Sequence, residues 1–178
     1  VAPKLVLDEL FGPRSEPGPA FDTPIREIID FLVEAADRLT LDRNEYLQES
    51  MEMTVKVSQM PRRIVENIFT RPSFISRELL ELRLERSFGN IDLLDGWVEQ
   101  VDPFGTRSRV RAFPPRLVHM MAGNSPSGAL MTIVDGALTK AVNVCKMPSS
   151  DPFTTVAVLR TLADIDPELL ADDWGEPL

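Results

Sequence analysis

The chain has 178 residues, 43% of them hydrophobic and 26% charged, with one cysteine and a formal net charge of −9 from 28 acidic and 19 basic side chains. A chain of this length buries roughly two thirds of its unfolded surface without staples, and a lone Cys145 leaves no internal disulfide framework. The acidic balance excludes a general nucleic-acid binder, no apolar run approaches the ~20 residues of a membrane span, and a reducing cytoplasm is the expected setting.

Residues 1–24 read as an irregular arm, because Gly12, Pro13, Pro17, Gly18, Pro19 and Pro24 crowd its second half. Thr23-Pro24 has the form of an N-cap followed by proline in the first helical position. Ile25, Ile28, Ile29, Leu32 and Val33 then recur at helical spacing, which predicts a helix to about Leu39. Asp42 with Glu45 forms a capping box for a second helix reaching Met60. Pro61 restarts the chain as a shorter helix over Arg62 to Arg71, with Arg62-Arg63 on its surface. Leu79, Leu80, Leu82 and Leu84 lie among Glu and Arg in a charged amphipathic helix closed by Gly89-Asn90. The first domain, residues 25–100, is therefore expected to be helical, with Trp97 as a packing anchor.

The pattern changes at the Asp102-Pro103-Phe104-Gly105 turn. Arg107, Arg109 and Arg111 alternate with Ser108 and Val110 as a strand with one charged face. That face suits a solvated edge, phosphate contacts or a subunit contact. Leu117 to Ala122 reads as a buried strand with His119 as a core histidine, and it runs into Gly123-Asn124-Ser125-Pro126. A helix from Pro126 to about Lys140, a strand from Val142 to Lys146 and a helix capped by Asp151-Pro152 follow, the last reaching about Ala163. Strand, helix, strand, helix at this spacing is the arithmetic of βαβ units on a parallel sheet, so residues 101–178 are expected as a partial α/β domain. Trp174, near its end, reads as a second packing anchor.

Two turns fall at the carboxyl ends of the paired strands, where open α/β sheets bind ligands. The Asn124 amide can donate to a developing oxyanion, or Gly-Asn-Ser-Pro is only a tight turn with a cap. Lys146, ahead of Met147-Pro148-Ser149, can donate to ribose hydroxyls or a phosphate, or it is a snorkelling lysine before an ordinary loop. Cys145 reads as a small core residue inside a strand rather than as a nucleophile.

Ala122-Gly123-Asn124-Ser125-Pro126, Leu138-Thr139-Lys140, Asn143-Val144-Cys145-Lys146 and Ser149-Ser150-Asp151-Pro152-Phe153 together resemble the LuxC-type acyl-CoA reductases, a branch of the aldehyde dehydrogenase superfamily. Arg86 to Val98, with Gly89-Asn90 and Leu94-Asp95-Gly96-Trp97, is similar to that family's helical region, and the likeness covers about Pro61 to Pro167. The resemblance implies an α/β fold in which a helical N-terminal region leads into the first βαβ units of a Rossmann-like cofactor domain. It also implies NADPH-dependent reduction of a long-chain fatty acyl-CoA to an aldehyde, through a thioester on a cysteine lying beyond this chain. By the same likeness Asn124 steadies the oxyanion, Lys146 and Pro148 hold the adenosine end of the cofactor, and Ser149 leaves room for a 2′-phosphate where NAD-preferring members carry a glutamate. The chain alone is then inactive and needs the remainder of the enzyme or a second polypeptide, and a homo-oligomer is expected. A non-catalytic helical interaction module and a plain aldehyde dehydrogenase are the competing readings.

Overall fold

The computed structural model describes residues 12, 13, 15–58, 61–68, 74–122 and 126–166. Helices α1 (Ile25–Arg38), α2 (Glu45–Ser58), α3 (Arg62–Ile68) and α4 (Arg77–Phe88) come first. A 3-10 turn over Ile91–Leu94 leads to β1 (Val98–Val101) and β2 (Arg107–Val110). β3 (Arg116–Met120), α5 (Pro126–Leu138), β4 (Val142–Lys146) and α6 (Thr154–Ile165) follow. The architecture is α/β, with the helical first half and the strand–helix–strand–helix order that the sequence predicts. No helix among the described residues is long and apolar enough to cross a membrane.

The core forms around α1, whose Ile25, Ile28, Ile29, Leu32, Ala35 and Ala36 are buried on one stripe. That stripe meets Leu80 and Leu84 of α4, Leu130, Val134 and Leu138 of α5, and Ala157, Val158 and Leu162 of α6 in one cluster. The 3.6-residue period thus translates directly into a central helix shared by both halves of the chain.

Two helix starts differ from expectation. Thr23 does not cap α1; the Ile25 N–H instead donates to Asp95 Oδ1 at 2.9 Å, a carboxylate 70 residues away. Asp42 does not cap α2 either. Asn44 does, accepting from the Leu47 N–H at 2.9 Å while its amide donates to the Arg38 carbonyl and to Thr161 Oγ1 of α6. A side chain that caps one helix and ties it to a neighbour replaces an exposed cap that could do only the first. At the other end of the helical layer Gly89 closes α4 at φ 73°, as expected, and Asn90 caps the 3-10 turn. On the surface, Arg62 reaches from α3 to Glu52 of α2 at 2.6 Å.

β1 lies outside the expected elements, since two valines around Glu99-Gln100 carry too little alternation to mark a strand. It pairs antiparallel with β2 in a ribbon turned at Gly105, with Glu99 opposite Arg109. Asp102 Oδ1 accepts the Phe104 and Thr106 N–H groups at 2.8 Å, and these bonds, Thr106 first, hold its carboxyl below the usual range. Trp97 corrects another expectation. It is 53% exposed at the ribbon's base, edge-on to Phe113 with ring centroids 6.0 Å apart, so it anchors no core. Trp174 falls outside the described residues.

β3 and β4 pair in parallel, joined by α5, with His119 opposite Cys145 and Met120 opposite Lys146. Register partners point the same way, so Leu117, His119, Asn143 and Cys145 share one face, and Arg116, Val118, Met120, Val142, Val144 and Lys146 share the other. α5 covers the first face so closely that a Cβ on Gly136 would lie 2.5 Å from Asn143 Oδ1. The arm covers the start of the second face: a Cβ on Gly18 would meet Val142 at 2.9 Å, and Arg116 donates to the carbonyls of Pro13 and Glu16. Further along, Val118 is 56% and Met120 74% exposed, which corrects the reading of this strand as buried. Burial of both faces is what an all-parallel sheet requires, and here Asn143 on the first face and Val118, Met120 and Lys146 on the second are exposed.

Gly136→Ala is expected to destabilise by no more than about 1 kcal/mol, because displacing the exposed Asn143 amide loses two exposed hydrogen bonds while the helix gains about 1 kcal/mol of propensity. The thermal midpoint checks this, and the same substitution in an Asn143→Ala background should be neutral or stabilising.

Candidate functional site

The carboxyl ends of β3 and β4 lie side by side, and the ladder continues one residue past β3, where the Met121 N–H donates to the Lys146 carbonyl at 3.1 Å. Two loops leave this edge. The first, residues 121–125, connects β3 to α5 and holds Asn124, which lies outside the described residues together with Gly123 and Ser125.

The second loop is described throughout. Lys146 ends β4 with its side chain exposed, Pro148 is half-buried, and Ser149 and Ser150 make an exposed turn. Asp151 then anchors the return. Its buried carboxylate accepts the Phe153 and Thr154 N–H groups at 3.3 and 3.1 Å and the Thr154 hydroxyl at 2.7 Å, which fixes the start of α6. The sequence predicts this capping role for Asp151. An ammonium and a small hydroxyl therefore stand at one sheet edge on a loop pinned at both ends. Chemically such an edge suits the hydroxyls and phosphates of a nucleotide.

Cys145 and His119 lie on the face covered by α5. Burial pushes the Cys145 thiol up, away from the thiolate that a nucleophile needs. His119 is half-buried, not a fully enclosed core residue. Because the Asn143 amide nitrogen donates to the Ala141 carbonyl at 2.8 Å, its Oδ1 is the atom facing His119 Nε2 at 2.8 Å. Nε2 must then carry the proton and donate. This is a cross-strand tie rather than a general base. Nearby, burial raises the Asp135 carboxyl although Arg83 sits 2.8 Å away.

The arginine stripe divides between two places. Arg107 pairs with Glu99 at 3.3 Å, Arg109 faces Glu99 across the ribbon, and Arg111 leaves the strand to lie 4.2 Å over the Phe21 ring. A polar groove of about 540 Å³ opens between Arg38, Arg43 and Tyr46 on one side and Thr161 and Asp164 on the other. It sits at the carboxyl end of α6, the opposite end from the Ser149 loop.

One residue that sequence reasoning missed is Lys140. It follows α5 at φ 54° with a side chain only 1% exposed, and its Nζ donates to Asp95 Oδ1 at 2.6 Å and to the Phe21 carbonyl at 3.4 Å. A lysine after a helix reads as a solvated partner of the helix dipole, and only a left-handed position held by a non-glycine residue would have hinted otherwise.

Residues 20–173 match the model of a family described as acyl-CoA reductase (LuxC). The long-chain acyl-protein thioester reductase of Vibrio harveyi is 28% identical over 151 residues, which cover 82% of this chain and 30% of that protein. Its namesake in Aliivibrio fischeri is 27% identical over 147 residues, 80% of this chain and 29% of the relative. The Photorhabdus laumondii protein of the same name is 33% identical over 85 residues, 47% of this chain and 17% of its own length. The chain thus spans less than a third of the curated relatives it matches. No solved structure matches it significantly.

Proposed function

The chain belongs to the acyl-CoA reductase (LuxC) family, and from that premise we propose that it supplies the N-terminal part, with the start of the cofactor domain, of an NADPH-dependent enzyme reducing a long-chain fatty acyl-CoA to the aldehyde. The observation that carries this reading is the shared carboxyl edge of β3 and β4, with Lys146, Pro148 and Ser149 on one loop and Asn124 in the sequence of the other. The relatives' names specify a thioester reductase, which supports reduction over aldehyde oxidation and an enzyme over a helical interaction module.

The residues present fit a phosphorylated nucleotide. Lys146 is exposed at the end of its strand, where its ammonium binds the adenosine ribose and 2′-phosphate, and Pro148 stiffens the approach. Ser149 offers a hydroxyl to that phosphate where a carboxylate would repel it. The β3–α5 unit and its extension form the first part of a Rossmann-like domain in this reading. NADPH supplies the hydride. The Asn124 amide donates to the oxygen that gains charge as the thioester carbonyl is attacked, and the thioester itself forms on a cysteine of the remaining polypeptide or of a second one. A thiolate nucleophile also accords with a reducing cytoplasm. The β1–β2 ribbon, with both outer edges unpaired among the described residues and little burial, supports a homo-oligomer in which it meets a second copy.

Ser149→Glu tests the cofactor end. In the full-length enzyme, kcat/KM for NADPH should fall about 10- to 100-fold from like-charge repulsion, with NADH little affected. Equal loss with both nucleotides, or no loss, contradicts the assignment of Ser149.

A further inference from the structure

We propose that Lys140 and Asp95 form a positioning pair that seats the α5–β4 turn on the helical layer and thereby sets where the end of β4 presents Lys146 to the cofactor. The inference rests on the cofactor reading above and extends it to two residues outside the proposed cofactor loop. Lys140 stands six residues before Lys146, roughly 20 Å along an extended strand, so its effect is transmitted through the backbone.

Four segments meet at the ammonium. Lys140 Nζ donates to Asp95 Oδ1 at 2.6 Å, and the same oxygen accepts the first N–H of α1, from Ile25, at 2.9 Å. Nζ also reaches the Phe21 carbonyl of the arm at 3.4 Å. One carboxylate oxygen thus links the central helix, the segment before the ribbon and the turn into β4, while the ammonium adds the arm.

The backbone at Lys140 is the second observation. Its φ of 54° makes it the one non-glycine residue with positive φ among those described. Glycine would take this conformation at no steric cost, and asparagine at less cost than lysine. A long cationic side chain kept in a left-handed turn and then buried to 1% exposure has a role that backbone freedom does not explain. The turn has no slack to absorb its loss. The Lys140 N–H donates to the Ala137 carbonyl, Ala141 to Gly136 and Val142 to Pro115, and β4 is bonded to β3 along its length. Because β4 is held to β3 from end to end, the pair sets the seating of the two strands together on the helical layer, the Lys146 end included.

The test uses the full-length enzyme with Asp95→Asn, whose amide oxygen still caps α1 but no longer pairs a charge, together with Lys140→Met and the double variant. Lys140→Arg serves as the charge-keeping control. Two quantities are read: kcat/KM for NADPH, and the rate of acylation by acyl-CoA without nucleotide. Asp95→Asn is expected to lower kcat/KM for NADPH about 10- to 100-fold, because a misplacement of about 1 Å suffices for such a loss. Acylation should be unchanged, the double variant no worse than the poorer single one, and Lys140→Arg partly rescued. Equal loss in both readouts assigns the pair to general stability and overturns the proposal, as do multiplied effects in the double variant. Wild-type enzyme that binds no NADPH overturns the cofactor reading and this inference together. Wild-type binding with unaltered variants overturns the pair alone.

Discussion

In the full-length enzyme, Asn124→Ala is expected to lower the turnover of a long-chain acyl-CoA about 10²- to 10³-fold while leaving NADPH affinity unchanged. The magnitude is that of one oxyanion donor, about 3–4 kcal/mol of barrier. The selectivity follows from placement. Asn124 belongs to the loop after β3, whereas Lys146, Pro148 and Ser149 belong to the loop after β4. Removing the oxyanion donor proposed for Asn124 should leave the adenosine end intact. Asn124→Asp separates charge from shape, since a carboxylate in place of the amide repels a developing oxyanion and should be at least as damaging. Steady-state turnover and nucleotide fluorescence titration measured side by side check both parts. A fall in NADPH affinity equal to the fall in turnover would make Asn124 a structural turn residue, as its Gly-Asn-Ser-Pro setting also allows.

Ile29→Ala should be the most destabilising single truncation of the helical layer, costing about 2–5 kcal/mol. Ile29 is 0% exposed on the face of α1 that meets α4, α5 and α6 together, so the cavity opens where several elements converge and none can collapse alone. Ile28, at 9% exposure on the margin of the same stripe, should cost less when truncated. Hydrogen exchange resolves the effect within the full-length protein. Amides of α1 and α6 should lose protection together, while those of the β1–β2 ribbon keep theirs. Loss confined to α1 would contradict its role as the shared core helix.

These two residues mark the range of what was legible in the chain. The buried stripe of α1 could be read because apolar residues at i, i+3 and i+4 fix a helical face whatever it later packs against. The β3–α5–β4 unit was legible for a related reason, since short apolar runs alternated with a helical pattern between turn residues. The choice of cap was not. Thr23 and Asp42 have the right local form, but Asp95 and Asn44 also tie distant elements together, and no local pattern encodes a partner 70 or 117 residues away. β3 was misjudged as buried because hydropathy along a strand does not say whether a second layer covers its other face. Trp97 was misjudged because a large aromatic next to a glycine turn packs into a core or stands at a ribbon's base with the same sequence. Lys146 and Ser149 stood out by position at a strand end and received cofactor roles, with Pro148, only through the family resemblance, while Lys140, the most deeply buried charge described, was hidden by the ordinary habit of lysine.

The most direct test of the central claim is aldehyde formation from a long-chain acyl-CoA by the full-length enzyme, measured with NADPH and with NADH for wild type and for Lys146→Met. The account predicts aldehyde with NADPH in preference to NADH, and a Lys146→Met enzyme whose KM for NADPH rises about 10-fold or more while kcat at saturation changes little. Aldehyde formed equally well by Lys146→Met, or no aldehyde with either nucleotide, would contradict it.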